Sequence, residues 1–77
     1  MKLDTVLDKV VNESGMSKAA IAKKAGKVSS FVYDVRRSPN PTAHNVSALL
    51  NACGYSLCLV KPEDAPESAI RITMEDE

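Results

Sequence analysis

One spacing constrains this chain more than any other: Ala22, Gly26, Val32 and Val35 recur as Ala-x3-Gly-x5-Val-x2-Val inside the stretch AKKAGKVSSFVYDVRR. Two short helices joined at a glycine can cross closely only where small residues stand at the contact, and Ala22, about one helical turn before Gly26, fits that place. Gly26 can take the left-handed backbone conformation that a residue with a β-carbon resists, so it stops one helix and re-aims the chain. Val32 and Val35 then give the following helix one buried stripe and leave its opposite face free. Lys23, Lys24, Arg36 and Arg37 frame this apolar skeleton.

The flanking sequence supplies the rest of a small core. Leu3, Val6, Leu7, Val10 and Val11 recur at helical spacing and predict a helix over residues 2–13, ended by Ser14-Gly15. Ser17 offers a side-chain oxygen as N-cap for a helix over 18–25, with Ile21, Ala22 and Ala25 inward. Ser29 is placed to cap a third helix to about residue 37, with Val32 and Val35 inward and Phe31 at their flank. The prolines of Ser38-Pro39-Asn40-Pro41 impose a turn. Thr42 can cap a fourth helix, in which Val46, Leu49, Leu50 and Cys53 share one face, and Gly54 closes it.

Over residues 55–60 the period changes to two, with Tyr55, Leu57 and Leu59 on one face and Ser56, Cys58 and Val60 on the other. That alternation predicts a β-strand, ended by Lys61-Pro62. A lone strand needs a partner, either residues 69–73 of the same chain or the same strand of a second subunit paired through Tyr55, Leu57 and Leu59. Residues 1–60 therefore read as one mainly α domain ending in a short strand, and residues 61–77 as an acidic tail, flexible in part.

Seventy-seven residues enclose a single small core, and 44% hydrophobic with 26% charged residues is the balance of a soluble globular chain. The longest uncharged run, residues 39–60, is broken by Pro, Asn, His, Thr and Ser and cannot span a membrane. With no signal-like segment at the start, the expected address is cytoplasmic. Two cysteines and one histidine assemble neither a disulfide framework nor a zinc set, so Cys53 and Cys58 are expected as buried, reduced thiols, and no cofactor or metal is implied.

The formal net charge of zero conceals a separation. Residues 16–45 carry Lys18, Lys23, Lys24, Lys27, Arg36 and Arg37 against Asp34 alone, whereas residues 61–77 carry Lys61 and Arg71 against Glu63, Asp64, Glu67, Glu75, Asp76 and Glu77. A basic centre suits a polyanion, and an acidic tail suits a basic protein.

The Ala22-x3-Gly26-x5-Val32-x2-Val35 spacing resembles the helix-turn-helix of the Cro/phage-repressor (XRE-like) family. The stretch RRSPNPTAHNVSALLNACGYSLCLV is similar to the segment after the recognition helix in prophage regulators and HigA-like addiction-module antidote proteins. The resemblance covers about residues 1–60. Lys27 and Val28 depart from the apolar residue and polar cap that usually come after the turn glycine. The fold so implied is a lambda-repressor-like helix-turn-helix bundle of four to five helices followed by a short C-terminal strand. The implied function is sequence-specific binding of double-stranded DNA by a dimeric repressor of prophage or antitoxin type that occupies its own operator.

On that resemblance Ser29, Ser30, Tyr33, Asp34 and Arg37 are the base-reading positions, and Lys18, Lys27, Arg36, His44 and Asn45 the phosphate-binding ones. Arg37 can present two donors to guanine; Tyr33 can meet a thymine methyl, donate to phosphate, or cover the edge of the core instead. Asp34 can accept from cytosine or pair with Lys27 or Arg37. Lys23 and Lys24 read as a solvated helix face. No carboxylate stands where it would orient His44, and no glycine-rich phosphate loop exists, so the chain is not read as an enzyme. The competing class is a protein-interaction module that binds and neutralises a partner such as a toxin, with the acidic tail against a basic surface.

Overall fold

A computed structural model describes residues 1–74. Among them the order is α1 (Leu3–Glu13), α2 (Lys18–Lys24), α3 (Phe31–Arg37), α4 (Ala43–Ala52) and a single 3-10 turn at Pro62–Asp64. The α1 stripe buries Val6, Leu7, Val10 and Val11 as its periodicity requires. After it, the Ser14 hydroxyl donates to the Val11 carbonyl at 2.7 Å and accepts from the Met16 N–H at 3.1 Å, holding the chain in a tight corner.

Local chemistry sets both ends of α2 and α4. Ser17 Oγ accepts from the Ala20 N–H and Thr42 Oγ1 from the Asn45 N–H, each at 3.1 Å, so the two predicted caps are made. At the other end of α2, Lys27 N–H donates to the Ala22 carbonyl at 2.9 Å and Gly26 N–H to that of Lys23 at 3.1 Å. The same double closure ends α4, from Tyr55 to Leu50 and from Gly54 to Asn51. Gly26 has φ +71°, and a β-carbon built there meets no atom within 4 Å. Glycine is therefore required for its backbone angle and not for a close approach. Ala22, one turn earlier, is fully buried, as is Ile21.

The core is one cluster in which Leu7, Val10, Ile21, Val32 and Leu49 are almost wholly enclosed, with α2 packed against both α3 and α4 and α1 against α3. Phe31, expected at the flank of α3, is buried in that cluster. The start of α3 also differs from expectation. Ser29 does not cap it; the helix opens at Phe31, and Ser30 occupies the cap position with φ −84° and ψ 0° and no capping side-chain bond. A cap oxygen reaches the first-turn N–H groups from extended backbone, and Ser30 is not extended. Its hydroxyl donates instead to the Asp34 carboxylate at 2.8 Å.

The predicted strand is not formed: no strand occurs among the described residues. Residues 56–60 make no backbone hydrogen bond there, and residues 69–73, the expected partner within the chain, do not pair with them. Residues 69–73 are used elsewhere. Thr73 N–H donates to the Met1 carbonyl at 2.7 Å, while the Met1 ammonium donates to the Arg71 carbonyl at 3.1 Å and to Thr73 Oγ1 at 3.2 Å. Ile70 packs partly into the core. The segment 55–60 is thus an exposed arm bearing Tyr55, Leu57, Leu59 and Val60, with Leu59 fully exposed. Cys58 sits on this arm and is exposed, contrary to the expectation of burial, and Cys53 is half-buried. The expectation of flexibility at residues 75–77 lies outside the described residues. Among the described residues no helix is long and apolar enough to cross a membrane.

Candidate functional site

The outward face of α3 is fixed by its inward one. Phe31, Val32 and Val35 are buried, and at about 100° per residue the positions opposite them are Tyr33 and Arg37, one turn apart. Tyr33 is 54% exposed, so it does not cover the core edge. The Arg37 guanidinium lies over its ring, 5.1 Å from the centroid. That distance is within the range where a ring quadrupole attracts a cation.

Asp34 stands on one flank of this face. Its carboxylate accepts from Ser30, and it forms an ion pair with neither Lys27 nor Arg37. Arg36 stands on the other flank, beside α1. There Nη2 donates to Asp8 Oδ2 at 2.6 Å and Nε donates to Asp8 Oδ1, a two-point grip across 28 positions of sequence. The adjacent arginines therefore differ in state. Arg36 is half-buried and neutralised by a carboxylate, whereas Arg37 is exposed and stacked on a ring.

Two of the shallow grooves along α3 concern this face. Lys18, Asn12 and Asp8 line one together with Tyr33, Arg36 and Arg37. Lys27, Asp34, Thr42 and Asn45 line part of the other, at the start of α4. Lys27 is half-buried with its ammonium 5.8 Å from the Phe31 ring centroid. Ser29 and Ser30 are exposed in the turn before α3. His44 is exposed and lines neither groove, and Tyr55, Leu57 and Leu59 belong to the separate arm.

Asp8 is the member of this site that sequence reasoning missed. It lies on the polar side of α1, and nothing within a few residues of it indicates that Arg36 will arrive.

The remaining chemistry is sparse. Burial pushes the Cys53 thiol up, while a hydrogen bond with Ser14 and the charge of Lys24 act in the opposite direction. The net effect is a more firmly protonated thiol, the reverse of what activates a nucleophilic cysteine. Among the described residues no three His, Cys, Asp or Glu side chains are grouped to hold a metal ion. Comparison with family models, with curated proteins and with solved structures gives no match to this chain.

Proposed function

We propose that this chain is a sequence-specific DNA-binding regulator, a lambda-repressor-like helix-turn-helix protein in which α2 and α3 form the motif and α3 enters the major groove. The observation that carries this reading is the outer face of α3. It presents Tyr33 and an exposed guanidinium at Arg37, between one groove edged by Lys18 and another edged by Lys27 and Asn45. A major groove admits an α-helix, base edges are read by such donors, and flanking cations meet the phosphates on either side. Ser29 and Ser30, at the leading end of α3, complete the reading set with Asp34. Lys18, Lys27, Asn45 and His44 supply phosphate contacts, and Arg36 braces α3 against α1 through Asp8.

One recognition helix covers only a few base pairs, so the active form is a dimer reading two half-sites about one helical turn apart. The exposed arm, with Tyr55, Leu57 and Leu59 on one face and unpaired backbone along 56–60, is the surface through which two copies join. The regulator is a cytoplasmic repressor of prophage or antitoxin type acting at its own operator. A second reading, a module that neutralises a basic toxin, draws on the same apolar arm together with Glu63, Asp64 and Glu67 beyond it.

The test is titration of the purified chain with DNA from immediately upstream of its gene and with a scrambled duplex, each at two salt concentrations. Preferential binding to the upstream DNA that weakens with salt is expected, and Arg37→Ala abolishes the preference. Equal affinity for both duplexes overturns self-regulation, and unchanged DNA behaviour of Arg37→Ala with loss of a protein partner favours the second reading.

A further inference from the structure

We infer that Tyr33 is a positioning residue for Arg37, and that the pair reads a guanine at one position of each half-site. The inference rests on the DNA-binding reading above. A guanidinium carries five N–H donors in one plane and can satisfy O6 and N7 of guanine together. A carboxylate partner takes up those donors, as Asp8 does with Nε and Nη2 of Arg36. A ring can hold the ion through its flat face and so leave the donors free for a base.

Arg37 has the second kind of partner. Its guanidinium lies 5.1 Å from the Tyr33 centroid, and both residues stand on the side of α3 opposite Phe31, Val32 and Val35. Asp34, the carboxylate three residues earlier, is engaged by Ser30 Oγ at 2.8 Å. The arrangement holds Arg37 beside a ring and leaves it without an ion-pair partner among the described residues. A long side chain that is already restrained loses less rotamer freedom when it meets a base, so the ring adds selectivity without touching the base. The phenol hydroxyl plays no part in this, which separates the inference from direct contact between Tyr33 and DNA.

Randomised duplexes of about 20 base pairs, long enough for two half-sites, are selected with the full chain and sequenced. Guanine is expected to dominate at one position in each half-site and to lose that dominance with Arg37→Ala. Tyr33→Phe keeps the wild-type preference. Tyr33→Leu lowers guanine-over-adenine selectivity at that position by about two- to fivefold, the range given by a cation–π contact at an exposed site, and changes nothing further in the Arg37→Ala background. Circular dichroism confirms that the variants fold, as expected for an exposed position. Loss of selectivity in Tyr33→Phe assigns the contact to the hydroxyl and overturns the inference, as does full selectivity in Tyr33→Leu. Failure of the wild-type chain to enrich any sequence overturns the DNA-binding reading itself, and the inference with it.

Discussion

Replacing Asp8 with Asn tests the division of labour between the two arginines. The substitution keeps the side-chain shape but removes the charge and one of the two acceptors that grip Arg36. The pair lies near the surface, with 27% of the Arg36 side chain and 55% of the Asp8 side chain exposed, so solvent screens it. Its two-point geometry places it at the upper end of surface pairs, about 1 kcal/mol. For a domain of this size that corresponds to a fall in Tm of roughly 4–8 °C.

The effect on DNA has the opposite sign. Asp8→Asn adds one net positive charge beside α3 and frees a guanidinium to meet a phosphate. The plot of log affinity against log salt then steepens by about 0.9. Over a fourfold rise in salt the variant loses about 3.5-fold more affinity than the wild-type chain. Fluorescence anisotropy with a scrambled duplex across that range measures the slope directly, and thermal melts measure the stability. Parallel salt slopes would refute the claim that Asp8 restrains Arg36. So would a steepened slope that survives Arg36→Gln in the Asp8→Asn chain, because the added phosphate contact would then not come from Arg36.

Gly26→Ala meets no steric obstacle and should cost only the left-handed backbone, about 1–2 kcal/mol by denaturant titration; Gly26→Asn should cost less, and a much larger loss would reveal a close approach after all. Cys58 should react with iodoacetamide well before Cys53, being exposed on the arm where Cys53 is half-buried and more firmly protonated. Because the Cys53 pKa is raised on folding, its contribution to stability is complete below the ordinary thiol value of about 8.5 and declines as pH rises through that value towards the folded one. Melts of Cys53→Ala should lack this alkaline component. Leu57→Asp with Leu59→Asp should leave helix content intact and yield monomers in sedimentation equilibrium, whereas an unchanged mass would remove the arm from the dimer interface.

Most of the helical frame was legible because its signals are local. The stripe from Leu3 to Val11, the caps at Ser17 and Thr42 and the stops at Gly26 and Gly54 each depend on residues within one or two turns of themselves. The start of α3 was less legible: Ser29 is the cap that the sequence suggests, but the helix opens one residue later, where the Ser30 hydroxyl has a competing acceptor at Asp34. The alternation over 55–60 predicts a strand, and none forms there among the described residues. Alternation is a property of one segment, whereas a ladder depends on where a second segment goes, and residues 71–73 go to Met1. At the site, exposure of Tyr33 and Arg37 is dictated by helical spacing alone. The fate of Arg36 is not, because Asp8 reaches it only through packing of α1 against α3.

The contact between residues 71–73 and Met1 joins positions some 70 residues apart through hydrogen bonds from Thr73 N–H and from the Met1 ammonium. Closing so long a loop is entropically slow and waits until the helices have already brought both ends near. Such a latch can release while the helical interior stays closed, a sub-global opening. Amide exchange would register two clocks in one small domain, with Thr73 exchanging on the faster and Leu49 on the slower.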